Sequence, residues 1–202
     1  PGYVNQASGF ARPIRFNQVV ALDLKECKDI NNKIYWYLNI LDIATRYSLL
    51  AGPLEPSSAV VTRTFLRSWV SWAGPPARII SDQGGEFLGA LWRSTLDKMA
   101  IPSEVTPTET PWQNSMVERH GQVLNEIMEA IVAEHDIDTE EGMGVAAWAA
   151  DHAKNRRIDR SGFSARQRVF GEGEVLVGSQ LDSYLDDAMQ PELDPHVAQD
   201  AA

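Results

Sequence analysis

The sequence predicts an α/β fold: a five-stranded mixed sheet, an antiparallel meander followed by parallel crossover strands, flanked by helices. Two observations carry this. Three runs of β-branched, aliphatic and aromatic residues follow one another near the front with only short turn-forming segments between them, which pairs them as antiparallel neighbours. From about residue 57 the pattern switches to helical periodicity alternating with short apolar runs, the signature of strands returned to one sheet by crossover helices.

Gln18 to Leu24 (QVVALDL) reads as a buried strand, with Asp23 near its end. Lys28 to Lys33 (KDINNK) is turn chemistry, and Ile34 to Ile43 forms a second, aromatic-rich strand. A third runs through Tyr47, Leu49 and Leu50 to a stop at Gly52-Pro53. Ser57 or Ser58 caps a helix whose stripe is Val61, Phe65 and Trp69, widened by Leu66 and Val70, and Gly74-Pro75-Pro76 ends it. Ala77 to Asp82 is a short parallel strand. A helix over Phe87 to Met99 and a strand over Ile101 to Thr106 continue the alternation. The loop Pro107 to Asn114 leads to a long amphipathic helix starting at Ser115, with Val117, His120, Leu124, Ile127 and Ile131 on one face. A last helix from about Thr139 to Arg157 turns Val145, Trp148, Ala149 and His152 inward and places Lys154, Arg156 and Arg157 at its C-terminal end, where cations suit the helix dipole.

With 44% hydrophobic and 23% charged residues the 202-residue chain can pack a core, which excludes wholesale disorder and fibrous repeats. No apolar run reaches the ~20 residues of a membrane span, and Pro1 to Phe10 lacks a signal pattern, so neither membrane insertion nor secretion is expected. The single cysteine, Cys27, and four scattered histidines offer neither disulfides nor a thiolate or imidazole metal cage. The net charge of −10 argues against nucleic acid until it is divided along the chain. Residues 1–130 hold 12 basic and 13 acidic residues, a net of −1, and residues 131–202 hold 6 and 15, a net of −9. A core over 1–170 and an acidic, weakly ordered tail over 171–202 follow from that asymmetry and from the Gly- and Pro-interrupted run after Gly171.

Three acids stand where acids are awkward. Asp23 lies in an apolar strand, Asp82 closes another before Gln83-Gly84-Gly85, and Glu118 opens the long helix. If the two strands are neighbours, both aspartates emerge at one sheet edge, the edge where α/β folds place chemistry, and the helix delivers the glutamate. Three such carboxylates repel one another unless a divalent cation sits among them. An all-oxygen set suits Mg²⁺ or Mn²⁺, and a pair of ions ~3.5–4 Å apart clamps the attacking and leaving oxygens of a phosphoryl transfer. Each acid also has a structural reading: Asp23 paired with Lys25, Asp82 capping a turn, and Glu118 closing a capping box with Ser115.

The surrounding motifs decide between these readings. VALDL around Asp23, SDQGGEF from Ser81 to Phe87 and PWQNSMVERH from Pro111 to His120 resemble the catalytic-core motifs of retroviral and LTR-retrotransposon integrases. These are DDE nucleotidyltransferases of ribonuclease-H-like fold. Thirty-five residues separate Asp82 from Glu118, the spacing of the DD35E group. LDIATRY from Leu41 to Tyr47, Gly74-Pro75-Pro76 and SGFSARQRVFG from Ser161 to Gly171 extend the resemblance over residues 12 to 172. Ser115 stands where the family usually has Gly, and Ala165 replaces a Pro of the closing motif.

The resemblance implies Asp23, Asp82 and Glu118 as catalytic residues and ligands of Mg²⁺ or Mn²⁺, two ions in all. It implies DNA contacts from Gln113, Asn114 and Arg119, and it sets Asp42 aside as a strand-end turn residue. The implied activity is 3′-end processing of retroelement DNA and its strand transfer into target DNA, by a homodimer or higher oligomer acting in the nucleus. The family's zinc-binding and basic domains lie outside these 202 residues, so weak, salt-dependent DNA binding is expected of the core. The alternatives are an inert or domesticated core serving as a DNA- or protein-binding dimerisation module, and a ribonuclease H proper, which the PWQNSMVERH segment disfavours.

Overall fold

The computed structural model describes residues 13–82, 84–105 and 111–171, and the side chains of all of these except 105 and 111–116. The expected acidic tail lies beyond Gly171, outside them. Five strands form one sheet in the order β3-β2-β1-β4-β5: β1 Val20–Lys28, β2 Ile34–Asp42, β3 Ser48–Leu54, β4 Ile79–Ser81 and β5 Ser103–Val105. The first three are antiparallel neighbours, and β4 and β5 add parallel to β1, the expected meander followed by crossovers. The helices are α1 Ser58–Phe65, α2 Ser71–Ala73, α3 Gly85–Leu88, α4 Ala90–Lys98, α5 Pro111–Glu134, α6 Glu140–Arg156 and α7 Ala165–Phe170.

Period-two alternation along β1 assigns its side chains to two layers. Val20 and Leu22 join Leu38, Ile40 and Ile79 beneath α1 and α4, around Phe65, Trp69 and Trp92. Val19 and Ala21 join Leu41, Ile43 and Ile80 on the other face, where Val117 of α5 packs on them. Farther along that face, Cys27, Tyr35, Tyr37 and Leu50 meet Leu124 and Met128 of α5 and the alanines of α6. Asp23 and Lys25 share the parity of Ala21 and Cys27, so they belong to the face that α5 covers.

Besides the break at Gly89 that divides the helix expected over Phe87 to Met99 into α3 and α4, four details depart from the sequence pattern. β3 runs on through Gly52-Pro53 to Leu54 and slips register between Trp36 and Leu38 of its partner; at the outer edge of a sheet a proline removes no ladder hydrogen bond. α1 continues through one π-helical turn, Leu66–Val70. α5 begins at Pro111, four residues before Ser115, because proline fits the first turn of a helix, whose N–H groups lack partners. Ser115 is therefore interior, and the capping-box reading of Glu118 is overturned.

The fourth departure is the face of α6. Val145 and Trp148 are 64% and 67% exposed, while Met143, Ala146, Ala147, Ala150, Asp151, Lys154 and Asn155 face inward. The reason lies in the edge strand, whose outward backbone groups need partners. Asp151 Oδ2 accepts from Leu50 N at 2.6 Å, and Asn155 both accepts from Ser48 N at 3.0 Å and donates to Ser48 O at 2.7 Å. The small alanines let the helix come close enough for these bonds, and Lys154 Nζ follows them in to reach Arg46 O and Ser48 Oγ.

Burial raises the Asp151 carboxyl to about 7, opposed by the Leu50 hydrogen bond and by Lys154, and lowers the Lys154 ammonium to about 8. A raised carboxyl contributes stability that is complete below its unfolded value of 3.8 and is lost as pH rises through 7. Asp151→Asn cannot titrate. Its thermal midpoint relative to wild type is expected to climb steadily between about pH 4 and pH 7; melts that stay parallel over that range would contradict the assignment.

Candidate catalytic carboxylate site

The geometry of the three acids follows from strand register. Val20, Ala21 and Leu22 of β1 lie opposite Ile79, Ile80 and Ser81 of β4. The parallel ladder ends at the Leu22–Ser81 pair; Asp23 is the next residue of β1 and Asp82 the first residue after β4. Asp82 follows β4 and is exposed, and its Oδ1 accepts the Gly84 N–H at 3.1 Å, the turn expected of Asp before Gly.

Glu118 is brought to the same region by α5. Its neighbour Val117 packs on the cluster that includes Ala21 and Ile80, each two positions before one of the aspartates. Gly121, one turn farther on the Glu118 face, lies against Lys25: a Cβ there would meet Lys25 Cε at 2.7 Å and Nζ at 2.9 Å. Glycine is what allows the lysine to lie between helix and sheet. Lys25 Nζ in turn bonds Asp23 Oδ2 at 2.7 Å, with both side chains about one-fifth exposed. The pairing that the sequence offered as the structural reading of Asp23 is present, and an ammonium supplies positive charge at the place where the motifs put a metal.

The donors are all oxygen, exposed or half-buried, and open to water, which suits Mg²⁺ or Mn²⁺. They are not drawn into a finished cage: among the described residues no three acidic, histidine or cysteine side chains are close enough to hold an ion. Arg119 is exposed beside Glu118. Gln113 and Asn114 fall in the first turn of α5, not in a loop, and their side chains lie outside the described residues. Asp42 is fully buried and accepts from Thr45 N, Thr45 Oγ1 and Asn17 N at 2.7–2.8 Å, which fixes the β2–β3 turn. His120, on the side of α5 away from Glu118, is lowered to about 4, chiefly by burial and then by Lys154, Arg46 and Arg119.

A five-stranded mixed sheet in this order, with helices on both faces, defines the ribonuclease-H-like fold of integrase cores. Among solved structures, the HTLV-2 integrase catalytic core domain in complex with magnesium superposes in its trimeric form with a TM-score of 0.66, at 17% identity, over 77% of this chain and 98% of that one. Its dimeric form gives 0.62 at 16% identity, over 80% and 100%. The simian T-cell lymphotropic virus intasome, in complex with PP2A regulatory subunit B56 gamma, gives 0.67 at 16% identity, over 84% of this chain and 60% of that one. No protein-family model and no curated protein sequence matches the chain. The likeness is one of fold.

Proposed function

We propose that the chain is the catalytic core of an LTR-retroelement integrase, a DDE polynucleotidyl transferase that processes retroelement DNA 3′ ends and joins them to target DNA. The observation that supports this best is that Asp23 and Asp82 each come directly after the last paired residues of the β1–β4 ladder, while the helix carrying Glu118 packs its Val117 on the adjoining Ala21–Ile80 cluster. Asp23, Asp82 and Glu118 would hold two Mg²⁺ or Mn²⁺ ions, which when bound would supply Lewis acidity for an attacking water or 3′-hydroxyl and for the departing oxygen. Water attack on a phosphodiester frees a 3′-hydroxyl, and that hydroxyl attacks a target phosphodiester and expels a second 3′ oxygen. Lys25 holds Asp23 in place through its bond to Oδ2. Arg119, Gln113 and Asn114 contact the DNA backbone next to the reacting phosphate.

The test is strand joining of retroelement-end oligonucleotides with Mg²⁺ or Mn²⁺ by the chain in its full-length parent. Glu118→Gln is expected to remove it; joining at the wild-type rate would sink the catalytic assignment. The Lys25–Asp23 pair favours one second reading, an inert core in which the ammonium replaces the metal. Mn²⁺ calorimetry separates the two, since saturable binding belongs only to the first.

The HTLV-2 core is described in dimeric and trimeric forms, and this chain has its own means of self-association in the exposed Val145 and Trp148 on α6. A second copy is the proposed occupant of that face. Trp148→Glu is expected to shift sedimentation toward the monomer with little change in thermal midpoint, because the indole contributes nothing to the core. A nuclear site of action is proposed with the function.

A further inference from the structure

The middle of β2 buries a polar side chain that bonds to nothing. From Tyr35 to Leu41 the strand is aliphatic or aromatic except for Asn39. Asn39 is 1% exposed, and neither its Oδ1 nor its Nδ2 has a hydrogen-bond partner among the described residues. A buried carboxamide in this state destabilises the fold, and a leucine of similar volume would fill the space without that penalty. Packing therefore does not account for an asparagine at this position.

Strand register fixes what Asn39 faces. It lies directly opposite Asp23 on β1 and opposite Leu50 on β3, so the three side chains share the sheet face that α5 covers. Leu41 and Leu50 offer it no polar side-chain atom, and the Tyr37 hydroxyl donates elsewhere, to Met143 O at 3.0 Å. Asp23 differs from these. Its Oδ2 accepts from Lys25 Nζ at 2.7 Å, and its Oδ1 has no partner among the described residues. Directly opposite residues of an antiparallel pair have Cβ atoms ~4.5–5.5 Å apart, a gap that a carboxamide and a carboxylate close by side-chain rotation.

We propose that Asn39 is a positioning residue for Asp23: its Nδ2 donates to the Asp23 carboxylate and fixes the orientation in which that carboxylate meets a divalent cation. The inference rests on the reading of Asp23 as an ion ligand. A ligating carboxylate is oriented by the groups that hydrogen-bond to it. Lys25 reaches Asp23 from the same strand and brings a positive charge that competes with an ion, whereas Asn39 reaches it from the neighbouring strand and is neutral. A carboxamide can thus orient the carboxylate without lowering its attraction for a cation.

Two titrations of the full chain test this. In the first, Mg²⁺ is added to isotope-labelled protein. The Asn39 side-chain N–H resonances are expected to shift and to exchange more slowly with solvent, as those of a newly bonded amide do, while those of Asn155, already donating to Ser48 O, stay in place. In the second, Mn²⁺ calorimetry compares wild type with Asn39→Leu. The variant is expected to bind about tenfold more weakly or worse, the scale of losing a group that orients a ligand, while its thermal midpoint rises because the unpartnered amide is gone. An asparagine with a purely structural role gives the opposite pair, a lower midpoint with unchanged affinity. That result overturns the inference alone, as does wild-type affinity in Asn39→Leu at any midpoint or an Asn39 amide that Mg²⁺ leaves unmoved while binding elsewhere saturates. Wild type without saturable Mn²⁺ binding overturns the catalytic reading and this inference with it.

Discussion

Asp82→Asn is expected to lower metal-dependent strand joining by on the order of 10²–10³-fold or more, the scale on which removing one electrostatic group from a transition state is felt, while leaving the fold intact. The substitution is isosteric, and the structure shows why the turn should survive it. The bond that organises Ser81 to Gly85 is donated by Gly84 N to Asp82 Oδ1. An asparagine oxygen accepts that bond as well as a carboxylate oxygen does. What is lost is one negative charge directly after β4, the strand that pairs with β1, and with it the attraction that would concentrate a divalent ion there. The change should therefore appear in two readouts at once: weaker Mn²⁺ binding by calorimetry, and loss of joining with an unchanged thermal midpoint. Full activity with intact metal binding would show that Asp82 is only a turn residue. A collapsed midpoint would show that its charge, rather than its oxygen, holds the turn.

The sequence made the acids legible because each breaks a local pattern. Asp23 interrupts an apolar strand, and Asp82 ends one ahead of two glycines. The strand order needed to bring them together followed from a meander with short turns and a crossover, where few topologies are available. Lys25 was visible as a partner for Asp23, but its place under Gly121 depends on how α5 lies across β1, a tertiary relation that no spacing encodes. The face of α6 was misjudged for a related reason. Apolar periodicity predicts Val145 and Trp148 inside, yet the surface that α6 meets is the polar edge of β3. Asp151 and Asn155 satisfy backbone groups there, and a large indole would hold the helix away.

Trp69→Ala is expected to cost about 3–5 kcal/mol of stability, the range for truncating a fully buried large aromatic side chain, and to lower the thermal midpoint by roughly 6–20 °C at this chain length. Trp69 is fully buried in the π-helical turn, with ring centroids 5.7 Å from Phe16, 6.4 Å from Tyr47 and 5.3 Å from Trp72. Its role goes beyond volume. The indole N–H donates to Asn17 Oδ1 at 2.9 Å, and the Asn17 amide donates to Ala73 O at 2.8 Å and Gly74 O at 3.1 Å. Asn17 N donates to Asp42 Oδ2 at 2.8 Å, and Asp42 Oδ1 fixes Thr45. One side chain thus ties the end of the helical segment, the approach to β1 and the β2–β3 turn together. Trp69→Phe separates the two contributions, because it keeps most of the apolar contact and leaves Asn17 Oδ1 without its donor. It should cost on the order of 1 kcal/mol, the lower end for an unpaired acceptor, since Asn17 is only half-buried. Denaturant titrations with an unchanged slope measure both variants. The order wild type, Trp69→Phe, Trp69→Ala is the expected one. An equal loss in the two variants would mean that the hydrogen bond to Asn17, rather than the packed indole, sets the cost.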